Sequence, residues 1–387
     1  MKKIGLLIAY KNPNYGTMLQ AFATQYVVES YGLETEVIDY TADRINKHYA
    51  LDGGLFRFLI DAYQEKKKIK ERSQCKDMIF QQNAEKRKAS YKDFINRRIH
   101  NIKKVIGFSE LKKLGTSYDA VLIGSDQKWH PGFSFGVDSS FRFVPKNVRT
   151  ISYATSLGVS EYPNSYWRTS RNAWKRINFL SVREKTGADI IRRVCGGSVH
   201  VEVVVDPTYL ITSEEWNKLF PVERKYEDKY VFCYFLGNDI ESKRCARRYA
   251  DQNGLKLVSV VSNESFSEID QEYADHLIIG ESPEGFVNWI RGAGCIFTDS
   301  FHGTAFSVMN EKQIYVFYRK NINVLLQRHS RIDDILSLWG IEYRLIPDQA
   351  RDWNKYQEQM IDYSLVTLKV QAERERSMEF LKKALSF

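Results

Sequence analysis

Two side chains in this 387-residue sequence follow apolar runs and could act on an anionic substrate, one by proton transfer and the other by binding the anion. His302 lies between Phe301 and Gly303, at a turn from a predicted strand to a predicted helix. An imidazole that titrates near neutrality can accept and donate protons during a reaction. Arg183 follows another apolar run, and a guanidinium binds carboxylate or phosphate groups. Arg183 could equally form a surface ion pair with its neighbour Glu184.

Five clusters of small polar or charged residues occur at such strand ends. One cluster alone is most simply the cap of a helix. Five together favour a ligand-binding cleft, because ligands of open α/β sheets lie beyond the carboxyl ends of the strands. The clusters are Asn12–Thr17, Gly124–Trp129, Tyr153–Gly158, Ser181–Glu184 and Asp299–Thr304.

Several motifs of other chemistries are absent from the sequence. No Gly-x-Gly-x-x-Gly follows the first apolar run, and there is no P-loop, no His-Glu-x-x-His and no pair of aspartates two residues apart. Nicotinamide, ATP-phosphate and metal-diphosphate chemistries therefore lack their usual sequences. A serine nucleophile elbow is also absent. We expect a mechanism without a metal and without a bound cofactor.

The cysteines and the apolar runs indicate a cytoplasmic protein. The five cysteines are odd in number, far apart and in no Cys-x-x-Cys spacing, which argues against disulfides and structural zinc. After Met1-Lys2-Lys3, the apolar run Ile4–Ala9 is shorter than the roughly 7 to 15 residues of the hydrophobic region of a signal peptide. No run approaches the roughly 18 residues of a membrane span.

The net charge of +9 comes from one segment, residues 57–104, which holds 15 Lys and Arg against 6 Asp and Glu. The charges could form a solvated helical face. They could also place the protein peripherally on the anionic inner face of the membrane, or bind a phosphorylated acceptor. No nucleic-acid recognition motif is present, so we expect no nucleic-acid partner.

The order of apolar runs predicts an α/β fold with two open sheets. Runs that are apolar at consecutive positions are typical of parallel strands covered on both faces. Residues 45–114 show no strand-like run and predict a helical insertion in the first domain. The predicted strands are Ile4–Ala9, Glu36–Tyr40, Ala120–Ile123, Thr150–Ala154, Phe179–Val182, Val201–Val205, Tyr230–Leu236, Lys256–Val261 and Cys295–Thr298.

The length and the repeated strand-helix pattern predict two domains, because one hydrophobic core stops growing at roughly 250 to 300 residues. We place an N-terminal Rossmann-like domain at residues 1–207 as the acceptor side. A C-terminal Rossmann-like domain at 208–362 is the donor and catalytic side. A helix at 363–387 is expected to cross back to the first domain.

Six motifs, in this order, resemble the polysaccharide pyruvyl transferase family. The resemblance implies two facing Rossmann-like domains of the glycosyltransferase B kind. It also implies phosphoenolpyruvate as a co-substrate, a glycan or undecaprenyl-linked sugar as acceptor, and a pyruvate ketal as product. The motifs are Asn14-Tyr15-Gly16 with Leu19-Gln20-Ala21, Gly124-Ser125-Asp126-Gln127 with Trp129, Tyr153-Ala154-Thr155-Ser156, Ser181-Val182-Arg183-Glu184, Asp206-Pro207-Thr208, and Asp299-Ser300-Phe301-His302-Gly303.

The resemblance also implies roles for individual residues. His302 matches the family's catalytic histidine and Arg183 a donor-binding arginine. Ser300 replaces an arginine that some members use to hold the donor, and Arg331, then Arg319, are our candidates to compensate. We expect the other donor-binding residues to be Ser300, Phe301, Gly303 and Thr304. The expected acceptor-binding residues are Asn14, Tyr15, Gly16, Ser125, Asp126, Gln127 and Trp129.

Two alternatives remain open from the sequence. A glycosyltransferase that uses a nucleotide sugar could have the same two-domain shape, and it would release a nucleotide rather than phosphate. A non-catalytic protein that binds a glycan or nucleic acid through the basic segment would leave His302 and Arg183 without a task.

Overall fold

The computed structural model describes residues 1–41, 77–131, 138–262, 269–319, 329–347, 356 and 359–386. Within these residues the first sheet has seven parallel strands in the order β3-β2-β1-β4-β5-β6-β7. Its strands are β1 Lys3–Leu7, β2 Glu34–Thr41, β3 Ile102–Ile106, β4 Ala120–Gly124, β5 Arg149–Thr155, β6 Phe179–Val182 and β7 Glu202–Val203.

The second sheet repeats this arrangement with six parallel strands, in the order β10-β9-β8-β11-β12-β13. Its strands are β8 Tyr230–Tyr234, β9 Lys256–Val260, β10 His276–Ile278, β11 Cys295–Thr298, β12 Gln313–Phe317 and β13 Leu345–Ile346. The predicted α/β class with two Rossmann-like sheets is therefore confirmed.

Twelve α-helices lie in the described ranges, and most of them connect one strand to the next. They are α1 Tyr15–Ser30, α2 Met78–Arg98, α3 Phe108–Leu114, α4 Trp167–Trp174, α5 Lys185–Cys195, α6 Ser213–Leu219, α7 Ile240–Gln252, α8 Ile269–Glu272, α9 Pro283–Gly292, α10 Phe301–Met309, α11 His329–Trp339 and α12 Tyr363–Leu385. None of these helices combines the length and the apolar character that crossing a membrane requires.

The expectation that residues 45–114 contain no strand was wrong. Strand β3 lies at the edge of the first sheet and pairs only with β2. Its two central lysines, Lys103 and Lys104, are exposed, so the strand lacks the apolar run on which the prediction relied. An edge strand needs cover on fewer sides than a central one and tolerates charge. Residues 42–76 of the predicted insertion lie outside the described residues.

In both sheets the strand order reverses next to the first strand, between β1 and β4 and between β8 and β11. Ligands of doubly wound sheets bind in the crevice at this point. The segments that follow β1, β4, β8 and β11 hold three of the polar clusters seen in the sequence. The topology therefore brings clusters from distant parts of the chain to neighbouring positions.

Helix α2 extends from the first sheet to the second and joins the two. The Asn83 side chain, fully buried, donates to Val261 O at 3.2 Å and accepts from Gly280 N at 2.9 Å. Arg87, which is also buried, donates to the same Val261 carbonyl at 2.9 Å. Val261 and Gly280 follow strands β9 and β10, so α2 covers the carboxyl ends of both.

Some positive charge of the basic segment is used in this contact. Arg97 and Arg98 both pair with Glu284 at the start of α9, at 3.0 and 3.3 Å. Arg87 is buried in this contact, whereas Arg97 and Arg98 pair with Glu284 at the surface and remain partly exposed.

The C-terminal helix α12 packs against elements of both domains. The Phe380 ring contacts the rings of Tyr153 on β5 and Phe179 on β6, with centroids 6.3 and 6.4 Å apart. The Ser377 hydroxyl accepts a hydrogen bond from Val205 N at 3.0 Å. At its other end the helix begins beside the second sheet, where Tyr363 donates to Lys312 O.

We expect Asn83→Ala to lower the free energy of unfolding by about 1 to 3 kcal/mol, because it leaves the Gly280 N–H in the protein interior without its acceptor. Gln82→Ala, at an exposed position of the same helix, is the matched control and should change it by less than about 0.5 kcal/mol. Urea unfolding of both variants measures this. Equal stabilities would contradict the role given to α2.

Candidate active site

The site is built around the second residue of helix α10, His302. The helix begins where β11 ends, and Ser300 caps it by accepting from Gly303 N at 3.3 Å. This turn places the imidazole, 5% exposed, against the first domain. Its Nε2 lies 3.6 Å from Asp206 Oδ2, which is too long for a hydrogen bond but close enough for an ion pair when the ring is protonated.

A glycine allows the two domains to approach this closely. A Cβ atom at Gly16, in the first turn of α1, would lie 1.9 Å from His302 Nδ1. No side chain fits there while the ring keeps its position. The predicted acceptor-site Gly16 is therefore in direct contact with the predicted catalytic histidine.

Arg183 follows β6, and its guanidinium is fully buried among acidic groups. Nη1 donates to Asp206 Oδ2 at 2.7 Å, and Nε donates to Glu184 Oε1 at 3.1 Å. The buried Nη2 has no hydrogen-bond partner in the described part of the chain; it lies 3.9 Å from Asp126 Oδ1. The ring of Phe301 lies below the guanidinium, with Cζ 4.2 Å from its centroid.

Asp206 is the acceptor at which these elements meet. Its Oδ2 accepts from Ser125 Oγ at 2.7 Å as well as from Arg183, and its Oδ1 accepts from the amide and hydroxyl of Thr208. Burial alone would raise the pKa of the Asp206 carboxyl, but His302 and Arg183 outweigh burial and hold the pKa far below its ordinary value. The residue is therefore a permanent anion.

Asp126 supplies a second carboxylate from the first domain. Its backbone is left-handed, with φ of 62°, and its Oδ2 accepts from Thr17 Oγ1 at 2.8 Å. Burial alone would raise its pKa, yet Arg183, His302 and the Thr17 hydrogen bond lower the pKa below its usual value, and Arg331 adds to this. The effect of Arg331, a buried residue of α11, puts this predicted compensating cation near the same site.

A strained turn shapes the site beside Arg183. The register between β5 and β6 shifts between Ser152 and Thr155, and Ala154 there has φ of 52°, in the left-handed region. The turn directs the Ser156 hydroxyl to Glu184 Oε1 at 2.5 Å. The other oxygen of Glu184 is buried and has no hydrogen-bond partner among the described residues.

A small cavity of about 10 Å³, with room for about one water molecule, lies between the two domains. Charged side chains of the first domain and apolar side chains of the second form most of its wall. The lining residues are Arg183, Glu184, Val205, Asp206, Tyr209, Phe301, Asp334, Ile335 and Leu338.

The other predicted donor-site residues also have structural roles within the second domain. Thr304 donates its hydroxyl back to Ser300 O at 3.0 Å within α10. A Cβ at Gly303 would lie 2.4 Å from Thr298 Oγ1, so this glycine permits α10 to pack closely on β11. Arg319, the second candidate cation, is buried with its Nε 3.6 Å from Asp299 Oδ2.

Two aromatic residues predicted to bind the acceptor are not in the cleft. The Tyr15 ring is fully buried and stacks on Phe286 with centroids 4.5 Å apart. Trp129 is also fully buried, and its Nε1 donates to Ser139 O at 3.3 Å. Both side chains pack in apolar cores and present no face to a ligand. We therefore correct the interpretation of these aromatics as sugar-binding surfaces.

The remaining predicted acceptor residues lie around the site. Asn14 caps α1 by accepting from Gly16 N at 2.9 Å. Ser125 is buried against Asp206, and Gln127 is partly exposed beside Gly158. No group of three or more His, Cys, Asp or Glu in the described ranges is arranged to hold a metal ion.

The sequence did not assign roles to Asp206, Glu184 or Asp334, although all three line the cavity. Asp206 could have been found, because it follows a strand and precedes a proline in one of the six motifs. Asp334 carries no such signal, because it lies inside a helix and the charged residues beside it on the cavity wall, Arg183, Glu184 and Asp206, come from the other domain.

Sequence comparison decides which family this chain represents. The model of the family described as polysaccharide pyruvyl transferase matches residues 14–321, well over half of the chain. The chain belongs to this family. The match spans Asp206, Arg183 and His302, so the network described above lies within the family's region. A search of curated protein sequences found no match.

Solved structures similar to this pyruvyl transferase family member share its fold at low sequence identity. UDP-GlcNAc 2-epimerase from Neisseria meningitidis, bound to UDP-GlcNAc, has a TM-score of 0.51 and 10% identity over 99% of this chain and 100% of that chain. The enzyme of that name from Methanocaldococcus jannaschii has a TM-score of 0.52 and 10% identity over 94% and 93%. These similarities confirm the glycosyltransferase B-like fold.

We predict that Asp206→Asn lowers the free energy of unfolding at pH 7 by about 3 to 5 kcal/mol, because the buried Arg183 guanidinium loses a charged partner. The pKa of Asp206 is lowered by folding, so its contribution is complete above the unfolded value of about 3.9 and is lost as pH falls below it. The difference from the wild type should therefore shrink below about pH 4.

Asp189→Asn is the control for this prediction. Asp189 pairs with Arg192 at an exposed position of α5, and its loss should cost less than about 0.5 kcal/mol. Urea unfolding between pH 3 and pH 7 compares the two variants. An Asp206→Asn protein as stable as Asp189→Asn at pH 7 would contradict the role of the buried pair.

Proposed function

We propose that this protein transfers the enolpyruvyl group of phosphoenolpyruvate to a sugar and closes it there as a pyruvate ketal, with release of phosphate. The acceptor is a cell-surface polysaccharide or its undecaprenyl-linked precursor. The observation that carries the proposal is the convergence of buried Arg183 and His302 on Asp206, in a chain of the polysaccharide pyruvyl transferase family.

The cations of the cleft suit a donor with a carboxylate and a phosphate group. The Nη2 amino group of Arg183 carries two N–H bonds, and no described residue accepts a hydrogen bond from it. Arg331 and Arg319 are buried in the second domain. They can take over the role of the arginine that some family members have where this chain has Ser300. Guanidinium groups bind such planar and tetrahedral anions through charge-assisted hydrogen bonds. The donor needs no metal ion under this proposal.

His302 is suited to take the proton from the attacking hydroxyl group. When the imidazole gains a proton, Asp206 Oδ2 at 3.6 Å stabilises the positive charge. Asp126 and Gln127 lie at the end of β4, where they can bind the acceptor hydroxyls. Ring rotation of His302 is limited by the contact with Gly16, which keeps the imidazole directed to one place.

Helix α2 favours a small donor over a nucleotide sugar. The contacts of Asn83 and Arg87 with Val261 and Gly280 fill the carboxyl edge of β9 and β10. A nucleotide bound at the β8 to β11 crevice would extend along this edge. Phosphoenolpyruvate needs only the crevice itself. The present cavity holds about one water molecule, so the domains must still separate for the donor to enter.

Contact with an anionic membrane through residues 57–104 remains a prediction. Residues 57–76 lie outside the described residues. In the described part, Arg87, Arg97 and Arg98 are engaged with the second domain, so a membrane contact by residues 77–104 would rely on their lysines.

The test of this function is an incubation of the protein with phosphoenolpyruvate and a panel of undecaprenyl-linked sugars. We expect release of inorganic phosphate together with a product whose mass contains a ketal-linked pyruvate. Parallel incubations with UDP-sugars should release no nucleotide. Nucleotide release without any reaction of phosphoenolpyruvate would instead identify a glycosyltransferase.

We predict that His302→Ala lowers kcat by about 10² to 10⁴-fold, the usual contribution of general acid-base catalysis, while phosphoenolpyruvate still binds. His329→Ala is the control. His329 stacks on Tyr318 with centroids 4.1 Å apart and contacts the carbonyl of Arg319, outside the network of Asp206. Its loss should be much milder.

Steady-state kinetics of the two histidine variants, with thermal melts to confirm folding, give the comparison. If His329→Ala is inactive and His302→Ala keeps more than about a tenth of the wild-type kcat, the assignment of His302 is wrong.

A further inference from the structure

Asp334 lies on helix α11 of the second domain, and its carboxyl group faces the first domain. Its Oδ2 accepts a hydrogen bond from Thr186 N, in the first turn of α5, at 3.1 Å. Arg183 lies three residues before Thr186. Asp334 therefore reaches across the cleft to the segment that carries the proposed donor-binding arginine.

Asp334 lines the same cavity as the groups assigned to the donor. Arg183 and Phe301 form the wall on which the donor would rest, and Asp206, the partner of His302, forms another part of it. A donor that enlarges this cavity on entry would contact Asp334. None of the roles assigned so far uses this residue.

The lining of the cavity holds three carboxyl groups against one guanidinium, which is unfavourable for an anionic ligand. Arg183 is the one basic residue on its described lining, which also holds Glu184, Asp206 and Asp334. Glu184 Oε2 is buried without a hydrogen-bond partner in the described structure. A donor with a carboxylate and a phosphate would be repelled unless one of these groups takes up a proton.

The surroundings of each carboxyl group determine which of them takes up the proton. The pKa values of Asp206 and Asp126 lie below their ordinary values. Burial raises the pKa of Asp334 to about 6, and the negative charges of Glu184 and Asp333 add to this, whereas the hydrogen bonds from Thr186 oppose it. Carboxyl groups whose pKa values are driven apart in one site are typical of acid and base pairs.

The charged groups that face Asp334 come from both domains. The strand end before α5 contributes Arg183 and Glu184, the segment after β7 contributes Asp206, and α11 itself contributes Arg331 and Asp333. Helix α10 contributes the apolar ring of Phe301. Negative charges thus outnumber positive ones around Asp334, which favours its protonated form.

We propose that Asp334 is a second catalytic residue of this cleft, the acid that gives a proton to the methylene carbon of the enolpyruvyl donor. This inference rests on the proposed function. It deepens that function by dividing the proton transfers between two groups: Asp334 serves the carbon, and His302 serves the acceptor oxygen.

The transfers balance as follows. The π electrons of the donor form the new C–H bond with the proton of Asp334, while the first acceptor oxygen bonds to C2 and its proton passes to His302. The bond between C2 and the phosphate oxygen then breaks, with its electron pair on the phosphate, which takes the proton from His302. The second hydroxyl oxygen bonds to C2, and its proton returns to Asp334.

Asp334→Asn tests the proposal, because the amide oxygen can still accept from Thr186 N but the group carries no acidic proton. We expect kcat to fall by about 10²-fold or more. Because the protonated form is the active one, the wild-type kcat/KM, which reports the free enzyme, should decline as pH rises above about 6. Asp334→Asn should lose this decline, and Asp334→Glu should keep it at a lower kcat.

Asp333→Asn is the matched control. It removes a neighbouring carboxylate that accepts from the Tyr318 hydroxyl and not from Thr186 N. Its kcat should stay within about twofold of the wild type. Its kcat/KM should still decline with rising pH, starting slightly lower than in the wild type because Asp333 no longer helps to raise the pKa of Asp334. Thermal melts report folding of each variant. Calorimetry in buffers of different ionisation enthalpy should show proton uptake on phosphoenolpyruvate binding that is reduced in Asp334→Asn but not in Asp333→Asn.

The proposal is overturned if Asp334→Asn keeps more than about a tenth of the wild-type kcat with the same pH dependence. It is also overturned, whatever the variants do, if the wild-type kcat/KM shows no decline between pH 6 and pH 9. These outcomes require a wild type that converts phosphoenolpyruvate. A wild type that releases no phosphate with any acceptor contradicts the proposed function instead.

Discussion

The site depends on one buried ion pair, between Arg183 and Asp206. Both side chains are fully shielded from water, so each would be costly to bury alone, and each is stable only because the other is present. Hydrogen bonds from Ser125 and Thr208 satisfy the remaining lone pairs of the carboxylate. The pair forms because the parallel order of the first sheet brings the end of β6 beside the segment that follows β7. His302 approaches an anion that the first domain has already fixed.

Several different kinds of contact hold the second domain close to the Asp206 carboxylate. The bare backbone of Gly16 lets the imidazole come within van der Waals distance of α1. The polar side chain of Asn83 ties α2 to the ends of β9 and β10, which also removes space along that edge of the second sheet. Asp334 closes the opposite side of the cleft, where it accepts a hydrogen bond from Thr186 at the start of α5. A cleft enclosed in this way suits a small donor whose enolpyruvyl group must be kept from water while it reacts.

Sequence reasoning located His302 and Arg183 because parallel strands end at one edge, and a polar residue after a buried run must lie there. It failed for Tyr15 and Trp129, since a large aromatic next to a strand end fills a hydrophobic core as readily as it binds a sugar. It missed strand β3 because a charged edge strand has no apolar run. Asp334 could not be found from the sequence, because its role comes from a contact between helices that are far apart along the chain.

The most direct test of the account is calorimetric titration of the wild type and of Arg183→Lys with phosphoenolpyruvate and with UDP. The account predicts that the wild type binds phosphoenolpyruvate. Lysine keeps the positive charge but cannot reproduce the branched contacts of the guanidinium, so Arg183→Lys should bind at least about tenfold more weakly. UDP should not bind to either protein. Binding of UDP together with no detectable binding of phosphoenolpyruvate by the folded wild type would contradict the account.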